Sequence, residues 1–158
     1  MTPGRYTELF FLDEATALAA GHRPCFECRR ERAIAFRQAW LACNPSLSGE
    51  SVISVDQIDA QLHNERLTED YYVKNRRKRT FKSDLNSLPD GAFVEMDKSP
   101  YLLWDKFLYQ WTPAGYGPPI LKSANEMVSV LTPPSTTNAL AAGYVPVIHA
   151  TAKVLGNL

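Results

Sequence analysis

The hydrophobic pattern changes period at Leu88-Pro89-Asp90-Gly91, and that switch limits the chain to a mixed fold. Upstream, apolar residues recur at spacings of three and four, as on one face of a helix. Downstream they alternate in short runs closed by turn residues, as in strands. The expectation is an α+β fold, with N-terminal helices and a CxxC loop followed by a small, mostly antiparallel sheet. Residues 1–158 are expected to form one domain in three parts, 1–45, 46–88 and 89–158.

Local signals place the elements. Arg5–Leu12 alternates and reads as a strand. Asp13 is a good N-cap for a helix over Glu14–Ala20, and Gly21 followed by Pro24 ends it. A second helix runs from Arg29 to about Cys43, with Ala33, Phe36, Trp40 and Cys43 on its apolar side and Ile34 beside them. Asn44–Gly49 breaks the pattern, and Ser54 with Gln57 forms a capping box for a third helix carrying Ile58, Leu62 and Leu67. Beyond Gly91, Ala92–Met96 and Tyr101–Trp104 suggest a hairpin about a turn at Asp97–Pro100. Phe107, Tyr109 and Trp111 extend the sheet, Thr112–Pro119 reads as a loop, and Met127–Leu131 as a strand. Ser135–Ala142 is a last helix, closed by Gly143. Tyr101, Trp104, Tyr109, Trp111, Tyr116 and Pro118 fit a core better than a ligand groove.

Thr16–Pro24 is echoed by Asn138–Pro146, both reading as an Ala-rich helix, a Gly, an aromatic ring and a Pro. A shared way of stopping a helix explains the match without duplication. The second copy has Val147 and Ala150 where the first has Cys25 and Cys28, so any metal chemistry belongs to the first.

Composition bounds the function classes. Seventeen Lys and Arg balance seventeen Asp and Glu, which argues against an overall basic protein but leaves room for a basic patch. No apolar run approaches the roughly 18 residues a membrane-spanning helix needs, and the N-terminal residues lack a signal-peptide layout. Three Cys are too few for a disulfide framework and point to a reducing cytoplasm. Asp84, Asp90, Glu95, Asp97 and Asp105 are scattered, and no Ser-His-Asp pattern or phosphate-cradling Gly loop is present.

Cys25-Phe26-Glu27-Cys28 is the sharpest chemical feature. Two Cys at this spacing can turn both sulfurs toward one tetrahedral ion, and a loop before a helix suits that arrangement. The helix N-terminus, with Arg23, Arg29 and Arg30, favours thiolates. The same physics serves a redox dithiol, and the pair can also be two small residues without special chemistry.

Phe11–Arg29, with its capped helix, Gly21, Arg23-Pro24 and the Cys pair in order, resembles the second half of the Ada-type zinc-binding domain over about residues 9–30. The resemblance implies that Cys25 and Cys28 are two of four zinc ligands. In that family the other two precede this segment, where this chain has neither Cys nor His. Either the chain is a shortened version of that domain or the missing ligands come from elsewhere, with His22, Cys43, His63 and His149 as the candidates. His22 sits where the family has a packing aromatic, Cys43 falls on the apolar side of its helix, and the two remaining His suit structural or solvated roles. The family's methyl-acceptor Cys belongs to the upstream pair, so methyl transfer is not implied. Outside that segment the chain looks similar to bacterial proteins with the same G-R-Y-T-E-L-F-F (Gly4–Phe11) and L-T-P-P-S-T (Leu131–Thr136) segments, a likeness that implies no activity.

The second feature is the basic run Lys74-Asn75-Arg76-Arg77-Lys78-Arg79, with Lys82 beyond and Tyr71, Tyr72 and Phe81 on either side. Such a cluster attracts phosphates, and flanking rings can stack on bases; a solvated linker has the same composition. The leading expectation is a cytoplasmic bacterial zinc protein that contacts nucleic acid and no membrane. Cys25 and Cys28 would supply half of the metal site, with Arg23, Arg29, Arg76, Arg77, Lys78 and Arg79 on backbone phosphates. Two alternatives stand beside it. One is a metal-dependent hydrolase or nuclease whose zinc keeps an open position for water. The other is a metal-free domain with an incidental Cys pair.

Overall fold

A computed structural model of the chain describes residues 9–44, 54–68, 73–123 and 126–152. Four helices and six strands follow in the order α1 (Glu14–Ala19), α2 (Arg30–Cys43), α3 (Val55–Arg66), β1 (Phe81–Asp84), β2 (Phe93–Met96), β3 (Ser99–Trp104), β4 (Phe107–Thr112), β5 (Gly115–Leu121), β6 (Met127–Val130) and α4 (Pro134–Ala141). The fold is α+β. The strands form one antiparallel sheet in the order β1-β6-β2-β3-β4-β5.

Local chemistry accounts for the helix ends. Asp13 accepts from the Thr16 N–H, and Ser54 and Gln57 make a reciprocal capping box. At the end of α1 the Gly21 N–H reaches the Leu18 carbonyl and the His22 N–H reaches that of Ala17. At the end of α4, Gly143 and Tyr144 donate in the same way to Leu140 and Ala139. Both are Schellman stops, with Gly21 at φ +81° and Gly143 at φ +100°. The sequence echo is therefore one capping device used twice. α4 has no side-chain cap of its own. Instead Glu65 of α3 accepts from the Ser135 N–H and hydroxyl, at 3.0 and 2.7 Å.

Three clusters make the core. Phe36 and Trp40 of α2, Ile58 and Leu62 of α3, and Ala139 and Leu140 of α4 close around Leu18 and Tyr144. One sheet face, with Phe93, Leu102 and Tyr109 side by side in register, packs under Ala15 and Ala19 of α1 together with Ile148 and Ala152. The opposite face, carrying Val94, Leu103, Leu108 and Val130, is covered by Leu85 and Leu88. Tyr109 and Tyr116 are buried and Trp104 and Trp111 are half-buried against the α1 face, so these rings are core, whereas Pro118 is exposed.

The structure corrects several readings. Leu9–Leu12 is irregular and not strand, because Phe11 stacks on His22 and Asp13 turns the chain into α1; Arg5–Glu8 lie outside the described residues. The Pro-rich stretch read as a loop contains β5 from Gly115 onward. Pro118 and Pro119 are tolerated there because β5 is a sheet edge. The sheet also begins earlier than expected, with β1 at Phe81, before the period switch. The hairpin turn is only Asp97-Lys98, both at positive φ, and Ser99-Pro100 belong to β3. Cys43 is exposed, not on the apolar side. Counting four residues on from Trp40 reaches Asn44, and it is this residue that is buried, its amide donating to the Trp40 and Ser135 carbonyls at 2.6 and 3.3 Å. Most of the expected Asn44–Gly49 break, and Tyr71 and Tyr72, lie outside the described residues.

Candidate functional site

The Cys pair lies in the link between α1 and α2, and three contacts fix where that link starts. Arg23 forms a fork with Asp59 of α3, both oxygens accepting at 2.8 Å, and its guanidinium lies over the Phe26 ring at 5.6 Å. His22 stacks on Phe11 with ring centres 5.3 Å apart, and its Nε2 lies 3.3 Å from an Arg66 guanidinium nitrogen. Burial and the Arg66 charge push the His22 pKa down, with Asp59 opposing. The close pass of Gly21 over Arg66 completes the seat: a Cβ there would stand 2.7 Å from Arg66 Cδ.

From that seat the loop turns outward. Cys25 and Cys28 are both exposed, and the Arg29 N–H closes the turn onto the Cys25 carbonyl at 2.9 Å. The backbone N–H groups of Cys28 and Glu27 point at the Cys25 sulfur, and the Cys28 thiol donates to it. Together they hold the Cys25 pKa below the usual thiol value. Cys28 moves the opposite way, because its proton is held between the two sulfurs. Among the described residues no group of three or more His, Cys, Asp or Glu comes together. His22 is occupied as above, His149 bonds Thr151 at 2.9 Å, and His63 and Cys43 lie on exposed helix faces.

The basic run divides by role. Lys78 stays exposed along its stem but tucks its ammonium onto the Ala19 carbonyl at the end of α1, 2.7 Å away; burial and the nearby Arg66 lower its pKa. Arg79 donates to the Asn64 carbonyl near the end of α3 at 2.8 Å, and its N–H to Arg66. Leu67 pairs with Lys78, and Thr68 exchanges bonds with Arg77. This pairing fastens the segment beside the α1 stop, so it is not a free linker. Arg29, Arg76 and Arg77 are exposed, and their side chains have no partner among the described residues. Lys78 and Arg66 thus bring the basic segment and the seat of the CxxC loop together, which nothing in the sequence spacing announced.

Sequence reasoning also missed a buried polar centre beneath this region. Glu14, 6% exposed, accepts from Arg32, the Tyr144 hydroxyl at 2.7 Å and the Val147 N–H at 2.8 Å. Arg32 also donates to the Val145 carbonyl and lies 4.7 Å from the Tyr144 ring centre. Next to it, Asp13 accepts from the Tyr116 hydroxyl at 2.8 Å and the His149 N–H at 3.0 Å. Only the N-cap role of Asp13 was visible in the sequence.

Among the described residues no helix is long and apolar enough to cross a membrane. No family model, no curated protein and no solved structure matches the chain.

Proposed function

We propose that the protein is a cytoplasmic zinc-holding α+β protein that contacts nucleic acid, with Cys25 and Cys28 as metal-binding thiolates. The carrying observation is the turn before α2, closed by the Arg29 N–H on the Cys25 carbonyl at 2.9 Å, which leaves Cys25 and Cys28 both exposed at a spacing of two intervening residues. A divalent cation held by both sulfurs at this spacing would satisfy the two thiolates at once. A reducing compartment keeps both thiols in that form.

Nucleic-acid contact is assigned first to Arg29, Arg76 and Arg77, whose guanidinium groups face solvent beside the loop and the basic segment. Arg23, Lys78 and Arg79 contribute charge to the same region while holding Asp59 and helix-end carbonyls. The contacts are to phosphates, because exposed guanidinium groups offer charge that phosphate oxygens accept.

The test is zinc content together with salt-dependent binding. Protein purified without added metal is expected to carry zinc that is lost in the Cys25→Ser, Cys28→Ser double variant. Binding to single-stranded DNA and RNA is expected to weaken as salt rises. Arg76→Ala, Arg77→Ala should lower the slope of log K against log salt by about 1.4, at roughly 0.7 per phosphate contact. Metal-free wild type refutes the zinc half of the reading, and a slope unchanged by the Arg pair refutes the nucleic-acid half.

A further inference from the structure

We propose that the cavity where the basic segment enters the sheet receives one base of a single strand and selects a base with an exocyclic amino group; this rests on the nucleic-acid reading above. The cavity measures about 170 Å³. It is lined by Glu65 at the end of α3, by Arg79, Thr80 and Phe81 at the entry to β1, and by Thr132 and Pro134 about the start of α4. Pockets for drug-sized molecules begin near roughly 300 Å³, so this one suits a single flat ring and not a whole nucleotide. Its walls divide by chemistry. Phe81 is half-buried and packed against the cluster that holds Leu85, Val94 and Val130, which fixes an aromatic ring beside the space. Pro134 adds apolar surface, and Thr80 and Thr132 add hydroxyls. Arg79 continues the run of exposed Arg76 and Arg77, so a strand whose phosphates follow that run reaches the cavity.

Glu65 sets the choice of base. A carboxylate accepts about four hydrogen bonds, two at each oxygen. Its Oε2 takes the N–H and hydroxyl of Ser135, at 3.0 and 2.7 Å, and its Oε1 takes the Gln61 amide at 2.7 Å. One accepting position is left, on Oε1. Glu65 and Arg79 line the same cavity yet form no ion pair with each other, and Arg79 gives one side-chain N–H to the Asn64 carbonyl at 2.8 Å. An acceptor and a cation therefore face the space together. The amino group of cytosine or adenine donates to a carboxylate. Uracil has a carbonyl at the position where cytosine has its amino group, and two acceptors facing each other repel. Guanine presents two adjacent donors, which call for both oxygens of a carboxylate, and here Ser135 occupies one of them. Reading a splayed-out base by stacking and by its edge is how single strands are told apart.

The experiment compares labelled oligocytidine and oligouridine of equal length, bound to the full chain at neutral pH and fixed salt and followed by fluorescence anisotropy. The two strands carry the same phosphates and differ at the base edge assigned to Glu65. Oligocytidine is expected to bind wild type about ten-fold more tightly. Glu65→Gln keeps an oxygen for Ser135 and adds a donor, and should erase that preference. Phe81→Leu keeps apolar contact with the sheet and removes the ring, and should weaken oligocytidine binding about ten-fold. Circular dichroism checks each variant; if either fails to fold, the comparison on wild type carries the test. Equal binding of the two strands to wild type overturns the base cavity and leaves the nucleic-acid reading standing. A preference that persists in folded Glu65→Gln, or an affinity unchanged in folded Phe81→Leu, also overturns the cavity. Binding of neither strand overturns both.

Discussion

Tyr144 donates its hydroxyl to the Glu14 carboxylate at 2.7 Å, across 130 residues of chain. With Arg32 and the Val147 N–H on the same carboxylate, this bond ties α1 to the segment after α4. Glu14→Ala is expected to cost about 3 kcal/mol, because it leaves the Tyr144 hydroxyl and the Val147 N–H without their acceptor. Tyr144→Phe should cost about 1–2 kcal/mol by exposing the carboxylate to one unmade bond. Urea unfolding of both variants and the double variant measures the coupling, expected to be non-additive.

Stability should fall steadily as pH is lowered from neutrality. Burial raises the Glu14 pKa, but bonds from Arg32, Val147 and Tyr144 outweigh it and hold the group below its ordinary value. The stabilisation is complete above the unfolded carboxylate pKa and is lost as pH falls through the lower folded one. His22 has the same sign. Its folded pKa is depressed, so the unfolded chain takes up the proton first as pH drops below about 6.5. Two steps are therefore expected in stability against pH. His22→Gln should remove the upper one, and an unchanged upper step in that variant would refute the assignment.

The two Schellman stops predict different penalties for the same substitution. Gly143→Ala adds a methyl group at φ +100° with nothing within 4 Å, and should cost about 1 kcal/mol from backbone strain alone. Gly21→Ala adds strain at φ +81° and also places Cβ against Arg66 Cβ and Cδ, at 3.1 and 2.7 Å. It should cost about 2 kcal/mol or more and disturb the seat of the CxxC loop. Thermal midpoints compare the pair directly, and equal shifts would refute the close approach.

The basic run should separate into two groups by assay. Lys78→Met and Arg79→Met remove bonds to the Ala19 and Asn64 carbonyls and should each lower stability by about 1 kcal/mol. Arg76→Ala and Arg77→Ala should leave the melting temperature within a degree or so, since side chains facing solvent carry little stability. A reversed order would refute this division of the run.

Cys43→Ser should change neither zinc content nor folding, because Cys43 is exposed at the end of α2, apart from the loop. Zinc lost in this variant would require a ligand set other than the CxxC pair.

The parts legible in the sequence were those decided within a few residues. Asp13, the Ser54–Gln57 box, Gly21 and Gly143 work through bonds spanning three to five residues, so their residue types announce them. The CxxC spacing was legible for the same reason. What composition obscured was position within the sheet. Gly115–Leu121 has the residues of a loop, and only its place at an edge makes it a strand. Charge in the basic run showed how many cations are present but not that Lys78 and Arg79 reach helix-end carbonyls, since those partners lie 59 and 15 residues away. Cys43 was misplaced because a four-residue step from Trp40 reaches Asn44.

The bonds from Asp13 and Glu14 to Tyr144, Val147 and His149 also set an order of events during synthesis. They span 130 to 136 residues, so α1 cannot complete its packing until almost the last described residue has left the ribosome. A nascent chain stopped before Tyr144 leaves the Glu14 carboxylate and the Phe36 ring without their shared partner, however well α2 and α3 have formed. The apolar faces of those helices then wait exposed, and exposed apolar surface of that kind is prone to aggregate. The segment Tyr144–His149 is therefore what locks the first helix in place.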